Sequence, residues 1–236
     1  MTGAVLAIET ALAQCAVCVL EGGRETVRAE PMAKGHAETL PLMVREALEA
    51  AGVAAGDLSR IAVTVGPGSF TGVRVGLAFA RGLAVGTPAE AVGISTLEAI
   101  ARAAGAAAEG EAVAAVVDAR RGEAFLQVFD GETGEPLSAP GLFAAEAAAR
   151  AALEAAEGRA LRFAGPAADP VLAAAAALGA PTVRGGPDVI DPAFLARLAR
   201  SLPAVPGGPR ALYVRAPDAT PPAPSPFAPP PVAAAP

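Results

Sequence analysis

Apolar positions fall into runs that assign most of the elements of the chain. Residues 4–9 and 15–20 are almost continuously apolar, as strands buried on both faces are, while residues 24–30 alternate. Glu21-Gly22-Gly23, between the second and third runs, supplies hairpin chemistry. From Leu40 the period lengthens. Leu40, Met43, Val44, Ala47, Leu48 and Ala51 recur at three and four residues, which predicts a helix over 40–51 stopped by Gly52. An apolar run at 61–65 predicts a further buried strand, followed by a glycine-rich loop and a helix to about residue 85. A strand at 91–93 and a helix from Thr96, with Ser95 placed to cap it, complete a β-β-β-α-β-α series.

The series then partly repeats. Strands at 112–117 and 123–129 flank the polar turn Asp118-Ala119-Arg120-Arg121-Gly122, and a helix at 144–156, a strand at 161–164 and helices at 171–178 and 192–200 follow. Two such halves predict an α/β protein of duplicated βββαβα lobes with a cleft between them. The alanine-rich stretch 103–110 has little to bury and marks a hinge. The expected organisation is therefore an N-terminal lobe at 1–103, a C-terminal lobe at 104–215 and a disordered Pro/Ala-rich tail at 216–236.

One segment breaks the helical rules. Gly66-Pro67-Gly68-Ser69-Phe70-Thr71 leads into a helix that carries Gly76 and Gly82, two interior glycines that together withhold roughly 2 kcal/mol of helix stability. Gly72, Gly76, Ala80 and Ala84 fall four apart and line one almost bare face, which another backbone can approach closely. The loop lacks the Gly-Lys-Ser/Thr ending of a Walker-type phosphate loop. Two readings stay open: backbone amides offered to an anion, or a mechanical turn in which Ser69 or Thr71 caps the helix.

Composition narrows the chemistry. A formal charge of −6 argues against a chain that grips a phosphate backbone by itself. The start of the chain lacks a leader pattern and the alanine tracts are short and interrupted, so a cytoplasmic protein without a membrane span is expected. Cys15 and Cys18 have CxxC spacing, but residues three apart in a strand point to opposite faces, so buried structural thiols are favoured over a redox pair or zinc site. His36 is the only histidine, which rules out a two-histidine metal site within one chain; it is expected on the surface or at the start of the first helix. A nucleotide-dependent phosphotransferase of the actin and sugar-kinase type needs an Asp-x-Gly-Thr-like turn after the first strand. Here Glu9-Thr10-Ala11-Leu12 keeps a carboxylate and lacks the glycine.

Ile8-Glu9-Thr10, His36-Ala37-Glu38-Thr39-Leu40, the run from Gly66 to Gly76 and Val117-Asp118-Ala119-Arg120-Arg121-Gly122-Glu123 together closely resemble the TsaB (formerly YeaZ) family. The match runs in order from residue 4 to about 125, and Leu212-Tyr213-Val214-Arg215 fits the family's ending. The resemblance implies the ASKHA (actin/sugar-kinase/Hsp70-like) fold. It also implies a non-catalytic subunit that pairs with the transferase TsaD, and with the ATPase TsaE, to form N6-threonylcarbamoyladenosine at position 37 of tRNAs reading ANN codons. TsaD carries a His-x-x-x-His metal motif just after its equivalent helix; Thr96 and Ile100 stand there in this chain. Neither a catalytic residue nor a metal site is therefore expected.

The further implications are no cofactor held independently, a nucleotide only at the TsaD interface, tRNA met only through the complex, and a homodimer through the same helices where TsaD is lacking. Carried onto this chain, the partner interface is expected at Leu40, Met43, Val44 and Ala47 of the first helix and at Gly72, Arg74, Gly76 and Ala80 of the second, with the bare glycine face as the favoured docking surface; the other reading is that both stripes pack on the protein's own sheet. The alternative reading is a self-sufficient ASKHA phosphotransferase or an M22-type peptidase.

Overall fold

The computed structural model describes residues 3–105, 110–204 and 207–215. The tail at 216–236 and the middle of the expected hinge, 106–109, lie outside the described residues. Among the described residues, ten strands form two five-stranded sheets of the same topology. In the first, β1 (Ala4–Glu9), β2 (Gln14–Glu21), β3 (Arg24–Pro31), β4 (Leu58–Thr64) and β5 (Glu90–Ile94) lie in the order β3-β2-β1-β4-β5. In the second, β6 (Glu111–Arg120), β7 (Glu123–Asp130), β8 (Gly141–Ala144), β9 (Ala160–Ala164) and β10 (Thr182–Arg184) lie in the order β10-β9-β6-β7-β8. Each sheet is an antiparallel meander continued by two parallel strands. The duplicated α/β architecture read from the sequence is the one observed.

Among the described residues six α-helices pack on the sheets: α1 (His36–Ala51), α2 (Phe70–Gly86), α3 (Thr96–Ala103), α4 (Ala145–Ala156), α5 (Ala168–Ala177) and α6 (Pro192–Ala199). Strand alternation sorts the side chains into layers. Leu6, Ile8, Cys15, Val17 and Val19 face a core closed by α1 and α2, whereas Val5, Ala7, Cys18 and Leu20 face the second sheet. A third core, rich in alanine, lies between the second sheet and α4 and α5. The central layer holds α3 and α6, and the halves exchange them: α3 packs on β6 and β7, and α6 on β1 and β2. Arg60, buried on β4, locks this exchange. Its guanidinium donates to the Ala199 carbonyl at 2.5 Å and to that of Leu202, and pairs with Glu90 at 3.3 Å.

The sequence pattern misses two strands and misjudges one cap. β8 and β10 are four and three residues long and only partly buried, so neither carries an apolar run to detect. α1 begins at His36, a turn before the stripe that announces it, because only its later turns need apolar residues against the sheet. Ser95 occupies the N-cap position of α3, but its buried hydroxyl has no hydrogen-bond partner and the helix takes no side-chain cap from it.

The bare face of α2 lies inward. A Cβ at residue 72 would sit 1.9 Å from the Thr10 carbonyl oxygen, and one at residue 76 would sit 2.4 Å from the Thr10 hydroxyl and 3.3 Å from Val63. The chain of β1 and its following turn occupies that space. The Thr10 hydroxyl donates to the Gly72 carbonyl at 2.8 Å, and the Ser69 amide donates to the Ala11 carbonyl at 2.8 Å. Gly82 is different, because nothing approaches within 4 Å of its Cβ position. The backbone contact predicts opposite outcomes for the two glycines. Gly72→Ala should lower unfolding free energy by roughly 1–3 kcal/mol, or more if the turn cannot shift, and Gly82→Ala should raise it by about 1 kcal/mol. Urea unfolding of both variants checks this, and equal effects would contradict the packing.

Beside this contact lies Glu9, fully buried at the end of β1. Its Oε1 accepts from the amides of Ala11 at 2.6 Å and Leu12 at 3.1 Å and from the Thr64 hydroxyl at 3.3 Å, while Oε2 has no partner. Burial pushes the carboxyl above its ordinary value of 4.5, against the opposing pull of these donors. A folded-state pKa raised above the unfolded one favours folding at low pH, and that contribution is lost as pH rises through the folded pKa. The wild-type protein should therefore lose stability from about pH 4.5 upward by an increment that Glu9→Gln lacks. Denaturation of both proteins across a pH series measures it, and parallel profiles would be the contrary result.

Candidate functional site

The residues singled out in the sequence converge where β1, β4 and β5 end. The turn Gly66-Pro67-Gly68 leaves β4, its Gly66 carbonyl accepts from the Thr96 amide at 2.9 Å, and its Gly66-Pro67 bond is cis. Ser69 is the N-cap of α2 and accepts from the Gly72 amide at 3.2 Å. The mechanical reading of the loop accounts for these contacts. Amides that an anion would need at Ser69 and Gly72 are committed to Ala11 and to Ser69 itself. Thr71 is exposed and Phe70 is 60% exposed, so the loop presents an aromatic ring to solvent.

The expected docking surface requires correction. Gly72, Gly76 and Ala80 are buried on β1 and β4, and Leu40, Met43, Val44 and Ala47 are buried against the same sheet. Only Arg74 among the eight positions is exposed. Periodicity locates a helix's packed face without naming what packs on it, and here the sheet takes both stripes. The outward surface consists of residues that the apolar stripes exclude. On α2 these include Arg74, Ala78, Arg81, Gly82 and Val85, the last 90% exposed; on α1, Leu42 is exposed with Glu38, Arg45 and Glu46, beside a shallow groove lined by Pro41, Val44, Leu48 and Val53 together with Arg45 and Glu49.

The chemistry-bearing residues of the first half are structural. His36 is buried at the start of α1 with Nε2 3.1 Å from the Gln14 carbonyl oxygen, which makes it a helix-start contact. Cys15 and Cys18 are free, buried on opposite faces of β2, and their thiols are pushed up to about 11, first by burial and then by nearby carboxylates. Thiols so placed are weak nucleophiles and poor metal ligands at neutral pH. Thr96 and Ile100 are buried in the central layer on α3. Among the described residues no three His, Cys, Asp or Glu side chains come together as a metal site, and no helix is long and apolar enough to cross a membrane.

Sequence reasoning passed over one cluster. The Arg74 guanidinium lies 3.6 Å above the Phe70 ring, and its Nε donates to the Tyr213 hydroxyl at 3.2 Å. Tyr213, the only tyrosine of the chain, is itself 59% exposed. It arrives on a C-terminal strap at 207–215, which the Leu212 amide holds to the Val65 carbonyl at 2.8 Å and Arg81 holds through the Pro209 carbonyl at 2.8 Å. Arg74 and Tyr213 are 139 positions apart, so no local pattern joins them.

The family model described as TsaD, tRNA N6-adenosine threonylcarbamoyltransferase, matches residues 25–167, more than half of the 236-residue chain. The tRNA threonylcarbamoyladenosine biosynthesis protein TsaB of Escherichia coli K12 is 36% identical over 121 residues, covering 51% of this chain and 52% of that protein. Its Haemophilus influenzae counterpart is 37% identical over 122 residues, covering 52% of each chain. The matched region thus spans about half the length of these curated relatives. A crystal structure from Pseudomonas aeruginosa, described as an uncharacterized protein with similarity to peptidase YEAZ, superposes with a TM-score of 0.73 at 27% identity, covering 91% of this chain and all of that one. YeaZ from the same organism gives a TM-score of 0.59 at 30% identity over 70% of this chain and 76% of its own. With its two sheets of duplicated topology and its glycine-rich turn, the chain belongs to the TsaB (YeaZ) family of tRNA threonylcarbamoyladenosine biosynthesis, within the wider group that shares the TsaD model.

Proposed function

We propose that this chain is a non-catalytic subunit of tRNA N6-threonylcarbamoyladenosine formation that docks a TsaD-type transferase through the outward faces of α1 and α2. The observation that carries the reading is the helix α3 in a chain of this family. Thr96 and Ile100, which take the places of the transferase's metal histidines, are buried core residues, and the central layer around them is filled by Leu97, Ile190 and Leu195. A chain of this family with a threonine and an isoleucine in place of that histidine pair is suited to holding a partner rather than turning over substrate. TsaE, tRNA and a nucleotide enter this reading as components of the complex, the nucleotide at the interface with the transferase.

The docking surface follows from the corrected geometry. α1 and α2 pack side by side on the first sheet, and Leu42, Ala78, Gly82 and Val85 are exposed small and aliphatic positions on them, bordered by the charged Arg45, Glu46, Glu49 and Arg81. Small residues at 78 and 82 let a partner backbone approach, and Leu42 and Val85 supply apolar area at its margins. A second copy of the chain could use the same face when the transferase is lacking.

Mixing the protein with its cognate transferase should give a heterodimer on size-exclusion chromatography, and Ala78→Arg and Leu42→Arg should each weaken it by roughly tenfold or more, about 1.4 kcal/mol. Unchanged thermal unfolding of the free variants would assign the loss to the surface. Full pairing by the double variant, or transfer of threonylcarbamoyl to tRNA by this chain alone, is the outcome against the proposal.

A further inference from the structure

The strap that carries Tyr213 also joins the lobes, and it does so along a line of arginines. Arg74 stacks on Phe70 and meets Tyr213; two residues further, Arg215 pairs with Glu123 at 2.5 Å; and Glu123 lies opposite Arg120 across the β6–β7 hairpin, whose tip is Arg120 and Arg121. Both tip arginines have left-handed backbone, with φ of 64° and 58°, and both are exposed. Along the ridge Arg120 pairs with Asp118 and Arg215 with Glu123, with Arg74 and Arg121 beside them, in a chain whose formal charge is −6. Cationic charge is thus gathered on one edge while the rest of the molecule is more acidic than its total suggests.

We infer that this ridge, Phe70, Arg74, Tyr213, Arg215, Arg120 and Arg121, is a contact surface for the unpaired loop of an RNA. Phosphate groups are met by the guanidiniums, and an unstacked base is met by the open aromatic faces and the planar Arg74. Aromatic rings held by an arginine at the surface suit stacking. Among the described residues, the exposed aliphatic side chains Leu42 and Val85, suited to a desolvated protein contact, lie on α1 and α2 outside the ridge. The choice of RNA over another polyanion rests on the proposed role in tRNA modification. Four cations give a weak, salt-sensitive contact that adds to binding within a complex, in keeping with the acidic balance of the whole chain.

The test uses the full chain alone with a labelled stem-loop RNA, read by fluorescence anisotropy between about 50 and 200 mM salt. Four phosphate contacts to a single strand predict a slope near −2.8 in log affinity against log salt, or a loss of roughly fifty-fold over that range. Arg74→Ala and Arg120→Ala should each reduce the slope by about 0.7. Arg74→Lys should keep the slope and lose affinity, because the charge stays and the stacking plane goes. Arg45→Ala on α1, away from the ridge, should change nothing. Arg120 is 86% exposed at a hairpin tip, so its replacement leaves the fold intact and keeps the test valid should Arg74 variants unfold. Lack of binding at about 50 mM salt, a slope indifferent to both alanine variants, or ridge variants that lose transferase pairing while RNA binding persists would each overturn the inference. Pairing with the transferase is measured without RNA, so failure of either reading leaves the other standing.

Discussion

The structure depends on one close approach, that of the α2 backbone to the turn following β1. Without side chains at residues 72 and 76, the helix sits directly on the Thr10 carbonyl and hydroxyl, and the Ser69 amide reaches Ala11. That contact sets where α2 begins, and so where the Gly66 carbonyl meets Thr96 and the Val65 carbonyl receives the strap at Leu212. The helix pays about a kilocalorie per interior glycine, and the contact offsets this where the glycine faces the sheet. Gly82 has no such return inside the molecule, because its Cβ position is open.

A second constraint is the exchange of helices between the halves. α3 leaves the first sheet to pack on the second, and α6 does the reverse, so the layer between the sheets is a shared core. Leu97, Ile100, Ile190 and Leu195 lie in that shared core. Arg60 holds the end of α6 with its guanidinium, a buried charge made tolerable by carbonyl acceptors and by Glu90. Two surfaces of the molecule differ in chemistry. The outer α1–α2 face sets Leu42, Ala78, Gly82 and Val85 among charged side chains such as Glu38, Arg45, Glu46 and Arg81, whereas the strap edge is aromatic and cationic.

Much of the fold was legible in the amino-acid pattern because strands buried on both faces leave long apolar runs. β1 starts and ends where its run does, and β2, β4, β6 and β7 differ from theirs by a few residues. The short edge strands β8 and β10 left no such trace. Opposite placement of Cys15 and Cys18 also followed from strand alternation alone. The direction of the bare helix face did not, since a run of glycines records that something approaches closely and carries no information about whether it is the protein's own strand or a partner's. Arg74, Phe70 and Tyr213 were similarly unreadable as a group, being joined only by the return of the C-terminal strap.

What the sequence determined by itself was local and periodic: the strands that carry long apolar runs, the helical stripes, the duplication and the turn at Gly66 to Ser69. These follow from backbone preference and from which side chains are present. Only the tertiary structure decided which face of α2 is core, which residues remain on the surface of α1, and that a ridge of arginines runs from one lobe to the other. Those properties depend on distances between residues far apart in the chain, and no pattern within a single segment contains them.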